Sequence, residues 1–265
     1  MSLRITASLA GLLALSAPAL AHNDLIYPVG GETVQVGEQM TIEWTILISH
    51  PLASWDVLYS VNGSQGPFIP IALGLPPGDM AAGSIHTYDW IVPDIPTANA
   101  RIQVIMNGTS GMWQSTSASD FTIEPSFGVR SCGGQSTNSS GAFAAIHMTG
   151  DESAAANGLV LRVVDLPTNT VGYPINSDTL GFAANPGGSS GNLCLGGSIG
   201  RHVTQVASSG AAGYAVIPID LTQLPRVGTF YSAVAGETWS FQFWYRDANP
   251  TITSNFSDVV SVTLL

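Results

Sequence analysis

The sequence predicts an all-β protein built as two β-sandwich domains, and three observations carry that expectation. Apolar residues alternate with polar ones over short runs, the period of a half-buried strand. Turn formers are dense, with 29 Gly and 16 Pro in 265 residues. No stretch holds a 3.6-residue apolar repeat long enough for a surface helix. A chain of this length has room for two domains of about 100–140 residues each.

Residues 1–21 read as a secretory signal. Arg4 supplies the positive start, Ile5 to Leu15 form a short apolar run, and Ala19-x-Ala21 is a small-residue cleavage site. Cleavage after Ala21 is expected to leave His22 at the N-terminus of an exported protein, extracellular or periplasmic. No other apolar run approaches the roughly 20 residues of a membrane-spanning helix.

Residues 22–125 predict the first sandwich. Leu25 to Pro28 begins an edge strand, because Pro28 cannot donate to a ladder. Met40 to Ile48 places Met40, Ile42, Trp44, Ile46 and Ile48 on one face against Thr41, Glu43 and Thr45 on the other. Asp56–Val61 turns at Asn62-Gly63, and Phe68–Leu73 leads into a Pro/Gly loop. His86–Val92 stops at Pro93, and Arg101–Met106 and Asp120–Ile123 follow. About seven short strands in some 100 residues read as an immunoglobulin- or fibronectin-like sandwich. Tyr27-Pro28-x-Gly30-Gly31-Glu32, Ile42-x-Trp44, Tyr59-Ser60, Tyr88-x-Trp90-x-Val92-Pro93, Arg101-Ile102 and Ser119-Asp120-Phe121-Thr122-Ile123 carry a resemblance. They resemble the extracellular Ig-like modules shared by bacterial exported proteins and fungal wall proteins. That resemblance implies fold and export rather than an activity.

Residues 126–265 predict a second sandwich after the Pro125-Ser126-Phe127-Gly128 linker. Strands are expected at 142–149, 158–166, 193–195, 215–220, 239–246 and 257–265. The runs Cys194-Leu195-Gly196-Gly197-x-Ile199-Gly200-Arg201 and Gly236-Glu237-Thr238-Trp239-x-Phe241-Gln242-x-Trp244-Tyr245-Arg246-Asp247 resemble a module of large secreted planctomycete-type proteins, to which no activity attaches. Cys132 and Cys194 are the only cysteines. An even count in an oxidising compartment predicts one disulfide, worth about 3–4 kcal/mol in the chain-entropy account. Two thiolate metal ligands are the alternative.

Composition narrows function. All seven basic residues are Arg, against 18 acids, for a net charge of −11. Nucleic acid and anionic membrane surfaces both need a basic patch and are poor partners. No nucleophile elbow, phosphate loop or His-Glu-x-x-His appears.

Three of the five histidines remain as candidates. If the strand after His22 pairs antiparallel with 40–48, and that strand pairs with the one opening at His86, then His22, His50 and His86 converge at one end. Neutral imidazoles suit copper, zinc, iron and nickel. An N-terminal histidine adds its α-amine to its own ring, and a second imidazole completes a three-nitrogen brace. That arrangement resembles the copper sites of lytic polysaccharide monooxygenases and of CopC-type periplasmic copper carriers. The resemblance implies one copper ion, either for oxidative attack on polysaccharide or for copper carriage. Tyr27, Tyr88 and Trp55 are candidate axial neighbours, and Asp24, Asp56 and Asp89 candidate orienting carboxylates. Trp55 and Trp113 are candidates for an exposed platform that a polysaccharide or cell-surface glycan would stack on. The competing reading is a non-catalytic adhesion or carbohydrate-binding module whose histidines are structural.

Overall fold

The structure, a computed structural model, describes residues 22–132 and 136–265. The export signal proposed for 1–21 lies outside the described residues.

Nine strands run through the first half: β1 (Asn23–Tyr27), β2 (Thr33–Gln35), β3 (Gln39–Ile46), β4 (Leu52–Ser60), β5 (Ile69–Leu75), β6 (Ile85–Ile91), β7 (Thr97–Gly108), β8 (Met112–Thr116) and β9 (Phe121–Glu124). They form two sheets, β1-β3-β6 and β2-β9-β7-β4-β5, with β8 added on β7. The inward alternation of Met40, Ile42, Trp44 and Ile46 meets Trp55, Val57, Ile102, Val104 and Met106 from the opposite sheet. β1 and β6 flank β3 antiparallel, the pairing on which the expected convergence of the histidines rests.

The second half holds β10 (Val129–Ser131), β11 (Ala145–Gly150), β12 (Leu159–Val164), β13 (Val171–Ser177), β14 (Leu180–Ala184), β15 (Asn192–Leu195), β16 (Gly200–Arg201), β17 (Ala207–Ser208), β18 (Ala215–Pro218), β19 (Leu224–Arg226), β20 (Thr229–Tyr231), β21 (Thr238–Asp247) and β22 (Thr253–Thr263). The sheet β11-β12-β18 packs on β10-β22-β21-β13-β16, with β17 also on β13. Ile146, Leu161 and Ile217 from one sheet face Trp239, Phe241, Phe243 and Tyr245 from the other. A smaller cluster around Ile175, Phe256 and Val259 covers the outer face of the larger sheet. The hairpin β14-β15 lies against it, tied by the Cys132–Cys194 disulfide, whose Cα atoms are 6.1 Å apart. The thiolate alternative for these cysteines is therefore set aside.

Each sheet draws its strands from one side of residue 125, and each side has its own core. Specific contacts join the halves. Arg130 pairs with Asp94 of the first half and Asp258 of the second. Gly37, at φ +75°, approaches His147 so closely that an added Cβ would lie 3.2 Å from its ring. Among the described residues no helix is long and apolar enough to cross a membrane.

Candidate metal centre

β1 enters the first sandwich at Asn23, whose side chain is fully buried and donates to the Val104 carbonyl. One residue earlier, the His22 carbonyl accepts from the amides of both Leu47 and Ile48. These bonds hold the His22 backbone just past the end of β3. From there the chain turns through residues 47–51, bringing His50 back toward β1. β8 supplies the third member. Its residue Trp113 pairs with Met106 of β7 and lies beside the start of β1.

The two imidazoles and the indole form one stack. His22 lies 4.6 Å from Trp113 at 21°, and His50 lies 4.4 Å from it at 16°, centroid to centroid. The imidazoles are 4.9 Å from each other. Rings on opposite faces of the indole would be about twice as far apart, so both histidines rest on the same face. Two imidazoles that share one ion at a metal–nitrogen distance of ~2 Å have centroids within about 6.5 Å. The pair satisfies that limit.

The ring nitrogens supply the sharper observation. His22 Nδ1 and His50 Nε2 are both buried and find no hydrogen-bond partner among the described residues. Buried ring nitrogens are normally satisfied, and an orphan carries the cost of its lost hydration. Two on adjacent imidazoles form the donor set that a soft-to-borderline cation takes. Nδ1 is also the nitrogen of a leading histidine that closes a chelate ring with its own α-amine.

Trp113 fits against its hairpin because two glycines leave room. A Cβ on Gly108 would lie 2.6 Å from the indole Cζ3, and one on Gly111 would lie 3.3 Å from Cζ2. The sequence places Trp113 only as a platform candidate; its role as floor beneath both imidazoles comes from the packing of β8 on β1. The Gly108-x-x-Gly111 hairpin ahead of it is the signal that could have located it.

His86 does not join the pair. It lies opposite Trp44 in the β3–β6 register, whereas His22 lies level with Leu47. Strand geometry then separates the two Cα atoms by about 14 Å. The His86 ring stacks on Trp44 at 5.8 Å and lies 5.1 Å from Trp55. Burial lowers its pKa, against an opposing effect from Asp79. Among the described residues no group of three or more His, Cys, Asp and Glu could hold a metal ion. The three-histidine convergence thus reduces to two.

Two further expectations are corrected. Trp55 is fully buried, its Nε1 donating to the Pro77 carbonyl, so it offers no platform and no axial contact. Tyr27 stands at the far end of β1, about 16 Å along the strand from His22, and Tyr88 lies two residues beyond His86 on β6. Among the carboxylates, Asp56 accepts from Gly74 and Asn107, and Asp89 from Thr41. Asp24 is exposed.

No family model matches the chain, and no curated protein matches it. Among solved structures it is similar to the fibronectin(III)-like modules of CbhA from Clostridium thermocellum, at 10% identity and a TM-score of 0.26 over 91% of this chain and 93% of that one. It is also similar to the beta-1,2-glucanase from Parabacteroides distasonis, at 9% identity and a TM-score of 0.18, covering 85% of this chain and 32% of that one. Scores this low carry no argument about function. The β-sandwich assignment stands on the strand pairing and the two cores.

Proposed function

We propose that the protein is an exported copper-binding protein whose site comprises the α-amine and Nδ1 of His22 with Nε2 of His50. The observation that carries this reading is the pair of buried, unpartnered nitrogens on imidazoles 4.9 Å apart. It gains force from their location, because removal of residues 1–21 would free an amine on the same residue that holds Nδ1. Bound copper would supply one-electron redox chemistry. The chain's own residues hold the site in place: the Leu47 and Ile48 amides fix His22, and Trp113 keeps both rings on one side of a low-dielectric floor.

Between the two copper functions, carriage is favoured. Oxidation of a polysaccharide surface needs exposed aromatic rings beside the metal. Here Trp55 is buried, and Trp113 spends one face on the imidazoles.

The test is titration of copper(II) into protein beginning at His22 and into protein carrying one extra Ser ahead of it. Submicromolar binding that weakens at least tenfold on extension is expected. Equal affinity for the two forms overturns the brace. Ascorbate-driven cleavage of chitin, cellulose or xylan by the copper-loaded protein would overturn carriage in favour of an oxidase.

A further inference from the structure

The second sandwich carries a cleft of a different chemistry. The outer face of its larger sheet presents Tyr173 from β13 and Trp244 from β21, paired in register with rings 4.9 Å apart. Both stay partly exposed, while Trp239, Phe241, Phe243 and Tyr245 turn inward to the core. The disulfide-tied hairpin β14-β15 forms one wall through Leu193, and Ile199 and Arg201 of the β16 edge form the other. The volume of the cleft is about 310 Å³. A second hollow of about 630 Å³ adjoins it and shares Ile199 and Arg201, continuing toward Arg226 and Phe230. Together they make an elongated trough, suited to a run of linked rings rather than to one.

Charge distinguishes this trough from the rest of the surface. The protein is strongly acidic, and its cations are otherwise engaged. Arg101, Arg130 and Arg226 pair with carboxylates, and Arg162 donates to Thr149 and Tyr214. Among the described residues, Arg201 and Arg246 have no carboxylate partner. Both are exposed: Arg201 lines both hollows, and Arg246 stands beside the smaller one, its guanidinium 5.2 Å over the ring of Trp244, which lines it. The neighbouring Asp247 accepts instead from the Ser139 amide and the Asn255 side chain. No Asp or Glu lines either hollow.

We propose that this trough binds an anionic polysaccharide, with sugar rings stacking on Tyr173 and Trp244 and their carboxylate or sulfate groups received by Arg201 and Arg246. Aromatic faces take the apolar face of a sugar, and guanidinium groups take carboxylates and sulfates through paired N–H donors. An acidic surface elsewhere repels a polyanion, so attraction concentrates where, among the described residues, cations lack a carboxylate partner. The site lies outside the His22–His50 pair and does not depend on copper.

Affinity electrophoresis of the protein from His22 to Leu265, with EDTA present, tests this. Gels contain alginate, carrageenan or neutral hydroxyethyl cellulose. Retardation by a polyanion, reduced at least tenfold in apparent affinity by Arg201→Glu and by Trp244→Ala and lost in 0.5 M NaCl, is expected. Alginate against carrageenan separates carboxylate from sulfate recognition, and either supports the proposal. Arg201 is exposed, so R201E keeps the test decisive if W244A unfolds. Equal retardation in the neutral gel, no retardation in any gel, or retardation unchanged in R201E overturns it.

Discussion

Two histidine–tryptophan clusters stand in the first sandwich, and their difference teaches more than either alone. His86 stands at the start of the edge strand β6, half-buried, its ring against Trp44 and Trp55. There an imidazole is a space-filling aromatic whose charged form is penalised, and its Nε2 lies 3.4 Å from the Ser84 hydroxyl. His22 and His50 stack on Trp113 in much the same way, yet at the end of the sheet where strands give way to turns. Their buried nitrogens, His22 Nδ1 and His50 Nε2, find no hydrogen-bond partner among the described residues. Stacking on tryptophan is therefore not what marks a ligand; an orphaned nitrogen beside another orphaned nitrogen is.

The largest effect that separates the clusters is on copper. His50→Ala is expected to weaken copper(II) binding at least 100-fold, since it removes a ligand rather than a group behind one. His86→Ala should leave affinity within twofold while lowering stability by about 1–2 kcal/mol. Calorimetric titration and thermal unfolding of both variants measure the contrast, and a reversed order of copper effects would break it.

Acid sharpens the comparison from the structural side. Burial, with Arg130 nearby, pushes the His147 pKa down to about 4. His86 shifts in the same direction. A histidine whose folded pKa is depressed stays neutral while the unfolded chain takes up a proton. Its contribution is thus complete above pH 6.5 and is lost between pH 6.5 and about 4, costing about 2–3 kcal/mol for His147. Urea unfolding at pH 7 and pH 4 should show the loss, and His147→Phe should flatten much of it.

Smaller effects probe the floor and the surroundings. Gly108→Ala drives a methyl into Trp113 and should cost about 1–3 kcal/mol, with copper affinity falling as the indole shifts. Asp24→Asn, on an exposed carboxylate, should move stability by no more than ~0.5 kcal/mol and leave copper binding unchanged. A large effect of Asp24 would mean that the site draws on a carboxylate the geometry leaves aside.

Much of this was legible in the residues. Alternation over Met40–Ile46 fixes which face is buried and, with antiparallel order, puts the start of β1 beside the end of β3. That is enough to bring His22 toward His50. It does not place His86, because a period of two fixes a face and not a distance along the strand. Trp55 was misread for a related reason. β4 begins at Leu52, not Asp56, and a register irregularity between Leu52 and Ser54 hides the alternation that would mark Trp55 as core. β13 escaped notice because Gly172 and Pro174 both read as strand breakers. Gly172 is required there, since a Cβ would lie 2.4 Å from the Trp244 carbonyl oxygen, and Pro174 lies opposite Phe243. The Tyr173–Trp244 pair depends on that hidden strand and could not be foreseen.

The central claim is that His22 Nδ1 and His50 Nε2 share one ion. The direct measurement is a crystal structure of the protein beginning at His22, grown with one equivalent of copper(II), with data collected on both sides of the copper edge. The account predicts a single anomalous peak within about 2.2 Å of His22 Nδ1, His50 Nε2 and the His22 amine. A peak on His86, a peak that leaves His50 Nε2 untouched, or no peak at all would contradict it.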